Sequence, residues 1–268
     1  MLFNVKIAVA FLFSVLLLGC HQSDPIVKES RLVWSDEFDG DALDKSKWEV
    51  MLGDGSAYGL WRWGNNEEQY YREENISVQN GKLRIKAIKE EVGDYKYTSA
   101  RLRSLGNGDF KYGKIEASIR MDVTAGLWHA FWMLPSNPVD VWPKSGEIDI
   151  MEYVGNTPEE VLYTVHFANR YGEHDYIGNV DYIAIDGNFH TYAVEWDENK
   201  IVWYRDDLET YSVLRTNERL AITWPFDAKF HLLLNVAVGG NLGGQIDDNQ
   251  LQFPRFMEVD YVRVYQAE

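Results

Sequence analysis

From about Arg31 onward, the chain consists of short segments in which apolar and polar residues alternate. A period of two is typical of β-strands that bury one face and expose the other. Turn residues separate the segments, and Asn80-Gly81 among them favours a tight hairpin. The clearest alternation occurs in segments 83–88, 114–120, 192–196, 200–205 and 258–265. No long segment has the 3.6-residue period of an amphipathic helix, so the pattern predicts an all-β sandwich of two antiparallel sheets.

Three carboxylates lie close together in the segment Ser145–Tyr153. On a strand, Glu147 and Asp149 share one face, whereas strict alternation places Glu152 on the other. One extra residue, most simply Met151 in a β-bulge, returns Glu152 to the face of the other two. Like charges on one face repel one another, so a fold keeps such a cluster at a cost. Paired carboxylates suit glycoside hydrolysis. Considered without the flanking residues, the cluster is equally compatible with an acidic strand face exposed to water.

Aromatic residues surround the acids in the sequence. In the strand-like segment 127–133, Trp128, Ala130 and Trp132 share one face, and Trp142 precedes Glu147. Two indoles beside a small alanine make a floor on which a sugar ring could lie. Tryptophans also fill cores, but the nearby acids favour a cleft for at least one of these indoles.

Size and charge narrow the classes of partner. The 268 residues suit one large β domain, because sandwiches and barrels often have about 200–250 residues. A net charge of −16 argues against nucleic acid, whose phosphates need a basic surface. A neutral polysaccharide is compatible with this charge, whereas a sulfated glycan is less so.

The N-terminus has the features of a targeting segment. Lys6 precedes the apolar run 7–18, which is shorter than the roughly 20 residues of a membrane span. The run ends in Leu-Leu-Gly-Cys20, which resembles the bacterial lipobox. We therefore expect a lipoprotein signal peptide at 1–19, lipidation of Cys20, a tether at 20–30 and a catalytic domain at 31–266. A chance cysteine in an ordinary signal peptide is the alternative. Cys20 is the sole cysteine, so no internal disulfide forms.

The motif Glu147-Ile-Asp-Ile-Met-Glu152 resembles the signature of glycoside hydrolase family 16. With Met in the bulge and Tyr153 after it, the motif is similar to that of the bacterial laminarinases, which are endo-β-1,3-glucanases. His129 stands where these enzymes often have Pro, and Leu242 where they often have Trp, which leaves the exact substrate open. Other segments that match this branch in order are 34–40, 65–71, 97–101, 126–128, 164–166, 234–240 and 259–265.

The resemblance implies a β-jelly roll whose concave sheet forms a substrate cleft. It implies retaining hydrolysis of β-glucan without a cofactor, with Glu147 as nucleophile, Glu152 as acid/base and Asp149 between them. The candidate sugar-binding residues are Trp128, Trp132, Trp142, His166, Asn65, Arg101, Asn235 and Gln245. Core packing for the tryptophans, a structural histidine, a turn residue for Asn65 and a surface charge for Arg101 remain the alternatives.

The resemblance also implies a structural Ca²⁺ site on the convex side. Its oxygen ligands would be Glu37, the carbonyl of Gly81 and Asp260. These acids could equally be ordinary surface residues.

The sequence therefore predicts a monomeric endo-β-1,3-glucanase of the laminarinase type, attached by lipid to a bacterial cell envelope, at the outer membrane or cell surface. A mixed-linkage β-1,3-1,4-glucanase or an algal galactan hydrolase of the same fold is the alternative within the enzyme class. A non-catalytic glucan-binding lipoprotein is a weaker alternative, because both glutamates are present.

Overall fold

A computed structural model describes residues 30–183, 185–246 and 252–267. The predicted signal peptide, Cys20 and all of the tether except Ser30 lie outside these ranges. Ser30 begins the first strand and Ala267 ends the last, so strand structure extends one residue beyond each end of the predicted domain, 31–266. Within these ranges, no helix has the length and hydropathy needed to cross a bilayer.

Strands dominate the described chain, as the alternating pattern predicts. In chain order they are β1 (Ser30–Asp36), β2 (Glu49–Met51), β3 (Gln69–Tyr71), β4 (Ile76–Val78), β5 (Leu83–Val92), β6 (Tyr95–Ser99), β7 (Arg101–Arg103), β8 (Asp109–Phe110), β9 (Gly113–Met121), β10 (Leu127–Pro135), β11 (Glu147–Val154), β12 (Glu160–Ala168), β13 (His174–Tyr182), β14 (His190–Trp196), β15 (Lys200–Arg205), β16 (Leu208–Leu214), β17 (Phe230–Val238) and β18 (Arg255–Ala267). The helical elements are 3₁₀ turns at Ser56–Tyr58, Trp61–Gly64 and Glu73–Asn75, and the single-turn helix α1 (Gly240–Gly243).

The strands form two sheets that pack face to face as a β-jelly roll. The ten-stranded sheet has the order β16-β15-β14-β9-β18-β5-β6-β3, with β1 beside β18 and β4 beside β5. The eight-stranded sheet has the order β13-β12-β11-β10-β17-β7-β2, with β8 beside β17. The described pairings are antiparallel except that of β3 with β6, which is parallel and differs from the prediction of purely antiparallel sheets.

Strand β10 shows how the alternating pattern separates the core from the outside. Leu127, Phe131 and Met133 are fully buried between the sheets. Trp128 and Trp132 are half-buried on the outer face of the eight-stranded sheet, which we call the cleft face. The two predicted faces of this segment are therefore confirmed.

A second, smaller hydrophobic cluster lies on the cleft face itself. It consists of Met51, Trp63, Tyr71 and Leu233, with Trp132 packed against it. Trp63 and Tyr71 belong to the segment that runs from the second 3₁₀ turn into β3. This segment therefore covers part of the cleft face and forms a wall beside Trp132.

The ten-stranded sheet holds the acid-bearing strand by a hydrogen bond through the core. Trp203 on β15 is fully buried. Its indole Nε1 donates to the backbone carbonyl oxygen of Asp149 on β11 at 2.8 Å. Because a buried carbonyl without a partner is costly, this bond fixes the local course of β11.

Replacement of Trp203 by Phe tests this support. We expect Trp203→Phe to lower the free energy of unfolding by about 2–4 kcal/mol, because the variant removes a buried hydrogen bond to the Asp149 carbonyl and leaves a cavity in the core. Urea denaturation measures the change. Trp61→Phe is the matched control, since Trp61 is 65% exposed and should change stability by less than about 0.5 kcal/mol. Equal unfolding midpoints for Trp203→Phe and the unmodified protein would contradict the expectation.

Candidate active site

The three acids of β11 share the cleft face because the strand carries a bulge. Opposite β12, the register shifts between Asp149 and Glu152, so that two residues of β11 face one residue of β12. Opposite β10, Ile150 is left without a partner. The predicted bulge is thus present, but the extra residue relative to β10 is Ile150, whereas the sequence favours Met151. Both side chains are fully buried in the core. Two consecutive core residues are what restores Glu152 to the cleft face.

Each glutamate accepts a hydrogen bond from an indole. Trp142 Nε1 donates to Glu147 Oε2 at 2.7 Å, and Trp128 Nε1 donates to Glu152 Oε1 at 3.0 Å. Trp142 is 48% exposed, so about half of its surface lies open beside the acids. The structure therefore brings two of the three predicted tryptophans, Trp128 and Trp142, to the acids, and each indole fixes one oxygen of a glutamate carboxylate.

His166 lies against the acids from the neighbouring strand β12. Its backbone pairs with that of Glu147, which puts its side chain on the cleft face. The imidazole Nε2 is 3.1 Å from Asp149 Oδ2, close enough for an ion pair but not aligned as a hydrogen bond. His166 is therefore part of the acid cluster.

Burial raises the pKa of all three acids. Desolvation and the charge of Asp149 raise the pKa of Glu147 to about 8, while His166 and the Trp142 N–H oppose the rise. Desolvation raises the pKa of Asp149 to about 7. Desolvation and then Asp149 raise the pKa of Glu152 well above its ordinary value. All three shifts are upward, so the three groups do not ionise together, and an ionised Glu147 itself raises the pKa of Glu152, which agrees with Glu152 as the group that holds a proton for donation.

The floor beside the acids is built from Trp132 and the groups beneath it. Trp132 Nε1 donates to Asn235 Oδ1 at 2.8 Å, and Asn235 Nδ2 donates to the Tyr71 hydroxyl at 3.3 Å. The Arg101 guanidinium lies 4.7 Å from the Trp132 ring centre and 4.6 Å from that of Trp63. This sandwich holds Trp132 by cation–π contact and a hydrogen bond together.

The structure thus gives Arg101 and Asn235 a different position from the predicted one. Both are 4% exposed, so each offers little surface to a sugar, and Arg101 is not a surface charge either. Their contacts are with the protein, and they support Trp132. The sequence pattern could not distinguish contact with a sugar from support of Trp132, because it does not show which segment covers a polar residue on a strand face.

A buried carboxylate accompanies Arg101. Glu67 is 2% exposed and accepts hydrogen bonds from Gln69 Nε2 at 2.6 Å and the Tyr71 hydroxyl at 3.1 Å. Burial raises the pKa of Glu67, and the charge of Arg101 opposes the rise. Glu67 lies in the matching segment 65–71, but no role is predicted for it from the sequence. The sequence signal that could have identified Glu67 is an acidic residue that stands between aromatic residues.

The remaining predicted sugar contacts lie toward the rim. Asn65 is half-buried, and its Nδ2 donates a long hydrogen bond to Glu67 Oε1 at 3.5 Å. Its carbonyl oxygen accepts a hydrogen bond from the backbone N–H of Asn241 in α1 at 2.8 Å. Gln245 follows α1 and is exposed, and Leu242 is 38% exposed. Asn65 and Gln245 therefore stay candidates for sugar contact.

Two of the three predicted calcium ligands, the carboxylates of Glu37 and Asp260, already have cationic partners. Glu37 makes a bidentate pair with Arg263, at 3.0 and 2.8 Å, and Arg263 lowers the pKa of Glu37. Asp260 lies 3.0 Å from Lys82 Nζ. Carboxylates neutralised by Arg and Lys are poor ligands for Ca²⁺ as they stand, so these residues do not fit the predicted site.

Among the described residues, a single group of three or more His, Cys, Asp or Glu side chains has donor atoms close enough for a metal ion, and it is not the predicted calcium site. The donor atoms of Glu147, Asp149 and His166 lie within 4.8 Å of one another. Glu147 and Asp149 are two of the three candidate catalytic acids, and Trp142 already donates to Glu147. These contacts favour a carboxylate cluster held by hydrogen bonds.

The chain is similar to known proteins over most of its length. Residues 63–261 match the model of the glycosyl hydrolases family 16. The chain is 42% identical to a β-glucanase of Rhodothermus marinus, over 96% of this chain and 93% of that protein. It is 36% identical to glucan endo-1,3-β-glucosidase A1 of Niallia circulans, over 92% of this chain but only 39% of that longer protein.

A solved structure agrees with these matches. The catalytic domain of an endo-1,3-β-glucanase (laminarinase) from Thermotoga petrophila superposes with a TM-score of 0.85 and 40% identity, over 90% of this chain and all of that one. The fold, the acid-bearing bulge and the matched residues lead to one conclusion. The chain belongs to the glycosyl hydrolases family 16.

Proposed function

We propose that this chain is an endo-acting hydrolase of β-1,3-glucan that retains the configuration of the anomeric carbon. One observation carries the proposal. Glu147 and Glu152 emerge on the same face of β11, each fixed by an indole N–H, beside the half-buried floor residue Trp132. A sugar chain on this floor would present a glycosidic bond to both carboxyl groups.

The first step breaks the glycosidic bond. The Glu147 carboxylate attacks the anomeric carbon, while the protonated Glu152 donates its proton to the departing oxygen. The leaving chain becomes an alcohol, and the sugar is held as an ester of Glu147. Trp142 orients the Glu147 oxygen that it contacts, and Trp128 does the same for Glu152.

The second step restores the enzyme. Glu152, now ionised, removes a proton from a water molecule that attacks the anomeric carbon on the face opposite Glu147. Two inversions give net retention, and no cofactor takes part. Asp149 neighbours both glutamates, and its charge raises the pKa of each. It therefore helps Glu152 to regain and keep the proton between turnovers.

The choice of β-1,3-glucan rests on the relatives and on charge. The Niallia and Thermotoga proteins are named as 1,3-β-glucanases, and Tyr153 follows the acids as in the branch that the motif resembles. The buried Arg101 and a net charge of −16 disfavour a sulfated galactan. A mixed-linkage glucan is the second candidate, because Leu242 occupies the rim position where Trp is common.

The proposed enzyme acts as a monomer that is anchored in a bacterial envelope through lipid on Cys20. The acids and the indoles that bond them lie within one chain, so the proposed reaction needs no residue from a second copy. The apolar run 7–18 and the Leu-Leu-Gly-Cys20 sequence support the anchor. Calcium is not part of the proposal, because Glu37 and Asp260 are paired with Arg263 and Lys82.

Azide can distinguish the roles of the two glutamates. On an aryl β-laminaribioside with a good leaving group, Glu147→Ala should lose about 1000-fold or more of its activity. Azide should then enter the space left by the carboxylate and give the α-glycosyl azide. Glu152→Ala still forms the glycosyl ester, so azide should give the β-glycosyl azide. NMR of the products determines the anomers.

A control and a contrary outcome sharpen this test. Glu159→Ala alters an exposed glutamate that follows β11 and should keep full activity. The same azide anomer from both catalytic variants would exclude the assigned roles. Full activity of Glu147→Ala without azide would exclude Glu147 as nucleophile.

The substrate is tested with a panel of polymers. Linear β-1,3-glucan, mixed-linkage β-1,3-1,4-glucan and agarose are digested in parallel, and products are sized at early times. We expect rapid release of mid-sized oligomers from β-1,3-glucan and at least about tenfold slower attack on the mixed-linkage polymer, a difference of about 1.4 kcal/mol in transition-state stabilisation. Activity confined to agarose would contradict the proposal.

The anchor is tested by fractionation of cells that express the full chain. Cys20 should be acylated, so the unmodified protein should sediment with membranes. Cys20→Ser should lose the acyl chains and the membrane association, because a lipid anchor contributes about 0.8 kcal/mol per buried methylene group. Equal membrane retention of both proteins would contradict lipid anchoring.

A further inference from the structure

A histidine with no role predicted from the sequence, His174, lies next to the acid cluster. His174 begins β13, the edge strand of the eight-stranded sheet, and its backbone pairs with that of Ala168. His166 pairs with Tyr176 on the same two strands, so His174 and His166 are diagonal neighbours on the cleft face. Aromatic side chains at diagonal positions are within reach of one another.

The two imidazoles are hydrogen bonded edge to edge. His166 Nδ1 and His174 Nε2 are 2.9 Å apart. The ring planes differ by only 25° and the ring centres are 5.1 Å apart, as expected when the bond lies nearly in both planes. Burial and the neighbouring His166 lower the pKa of His174, which favours its neutral form.

His174 also packs against the tryptophan that holds Glu147. The ring centres of His174 and Trp142 are 4.7 Å apart, with 38° between the planes. Trp142 is 48% exposed, and its other ring neighbour, His166, is more distant, with 6.3 Å between the ring centres. His174 is therefore the nearer ring that keeps the indole from turning. A turned indole could not keep its 2.7 Å hydrogen bond to Glu147 Oε2.

The hydrogen bond between the histidines also determines where His166 carries its proton. Neutral imidazole has one N–H donor and one lone pair. If His174 Nε2–H donates to His166 Nδ1, then His166 must carry its own proton on Nε2, which faces Asp149 Oδ2 at 3.1 Å. The opposite tautomer would turn a lone pair toward a carboxylate oxygen, which is unfavourable.

These contacts close a ring of neighbours around the nucleophile. Glu147 is bonded to Trp142, Trp142 packs on His174, and His174 is bonded to His166. His166 faces Asp149, which lies beside Glu147. We propose that His174 is a positioning residue, which holds Glu147 in its attacking geometry from two sides, through Trp142 and through His166 and Asp149. The inference rests on the proposed role of Glu147.

Three variants separate the two contacts of His174. His174→Phe keeps a flat ring against Trp142 and removes the hydrogen bond to His166. His174→Gln keeps a donor for His166 and removes the ring, and His174→Ala removes both. His174 is exposed, so all three should fold with unchanged unfolding midpoints.

The substrate is chosen so that a sugar contact on the leaving side cannot explain the result. An aryl β-laminaribioside has no leaving-side sugar, and its kcat/KM reports the attack by Glu147. We expect His174→Ala to lower this kcat/KM by about 10- to 100-fold, because small misplacements of a nucleophile are costly. His174→Phe and His174→Gln should each recover part of the loss.

Further measurements can overturn the inference. Unchanged kcat/KM of His174→Ala on the aryl substrate would do so, and a raised KM for polymer alone would make His174 a sugar contact. His166→Ala combined with His174→Ala should lose less than the product of the two single losses, and full multiplication would contradict the link. Tyr182→Ala, at a 74% exposed aromatic on the same strand, is the control and should keep full activity.

The inference and the proposed function fail in different ways. An unmodified protein that cleaves neither the aryl substrate nor β-1,3-glucan would exclude the proposed function. An active unmodified protein with fully active His174 variants would exclude only the role of His174.

Discussion

The active face depends on one irregularity in one strand. Ile150 and Met151 are consecutive residues of β11, and both point into the core. A regular strand would send one of them outward and would turn Glu152 inward, where a carboxyl group would meet only apolar side chains. The bulge thus keeps two apolar side chains in the core and Glu152 on the cleft face. The Trp203 indole bonds the Asp149 carbonyl just before the bulge, which ties this geometry to the opposite sheet.

Placing three carboxyl groups together in a partly desolvated site is unfavourable, and the surrounding residues offset that cost with donors. Trp142 and Trp128 each provide an indole N–H, and His166 brings an imidazole nitrogen close to Asp149. Indoles can donate but cannot accept, so they stabilise the ionised form without competing for the proton. The same donors that offset the cost of the cluster therefore also orient the two glutamates that we propose to react.

The contacts of Trp132 show how the floor of the cleft is held from below. Trp132 rests on Arg101, which is itself packed against Trp63, and its indole N–H is bonded to Asn235. Glu67, Gln69 and Tyr71 form a buried polar network beside this guanidinium. Buried charges of this kind contribute little net stability but they restrict geometry strongly, because any movement would break several polar contacts. Side chains that resemble ligand contacts can thus serve to keep one aromatic ring in place.

The sequence alone determined the features that depend on residues close together along the chain. Alternation separates Trp128 and Trp132 from Leu127 and Phe131, and the spacing of Glu147, Asp149 and Glu152 requires a bulge, because both follow from the period of a strand. It did not determine which residue is unpaired, since that depends on the register with β10.

Contacts between distant segments were decided only by the tertiary structure. Arg101 and Asn235 lie beneath Trp132 because another segment covers them, and Arg263 and Lys82 pair with the acids that were expected to bind calcium. His174 approaches Trp142 only because β13 is the edge strand beside β12. The order of the strands in the sheet brings such residues together. The local spacing of residue types along the chain does not predict that order.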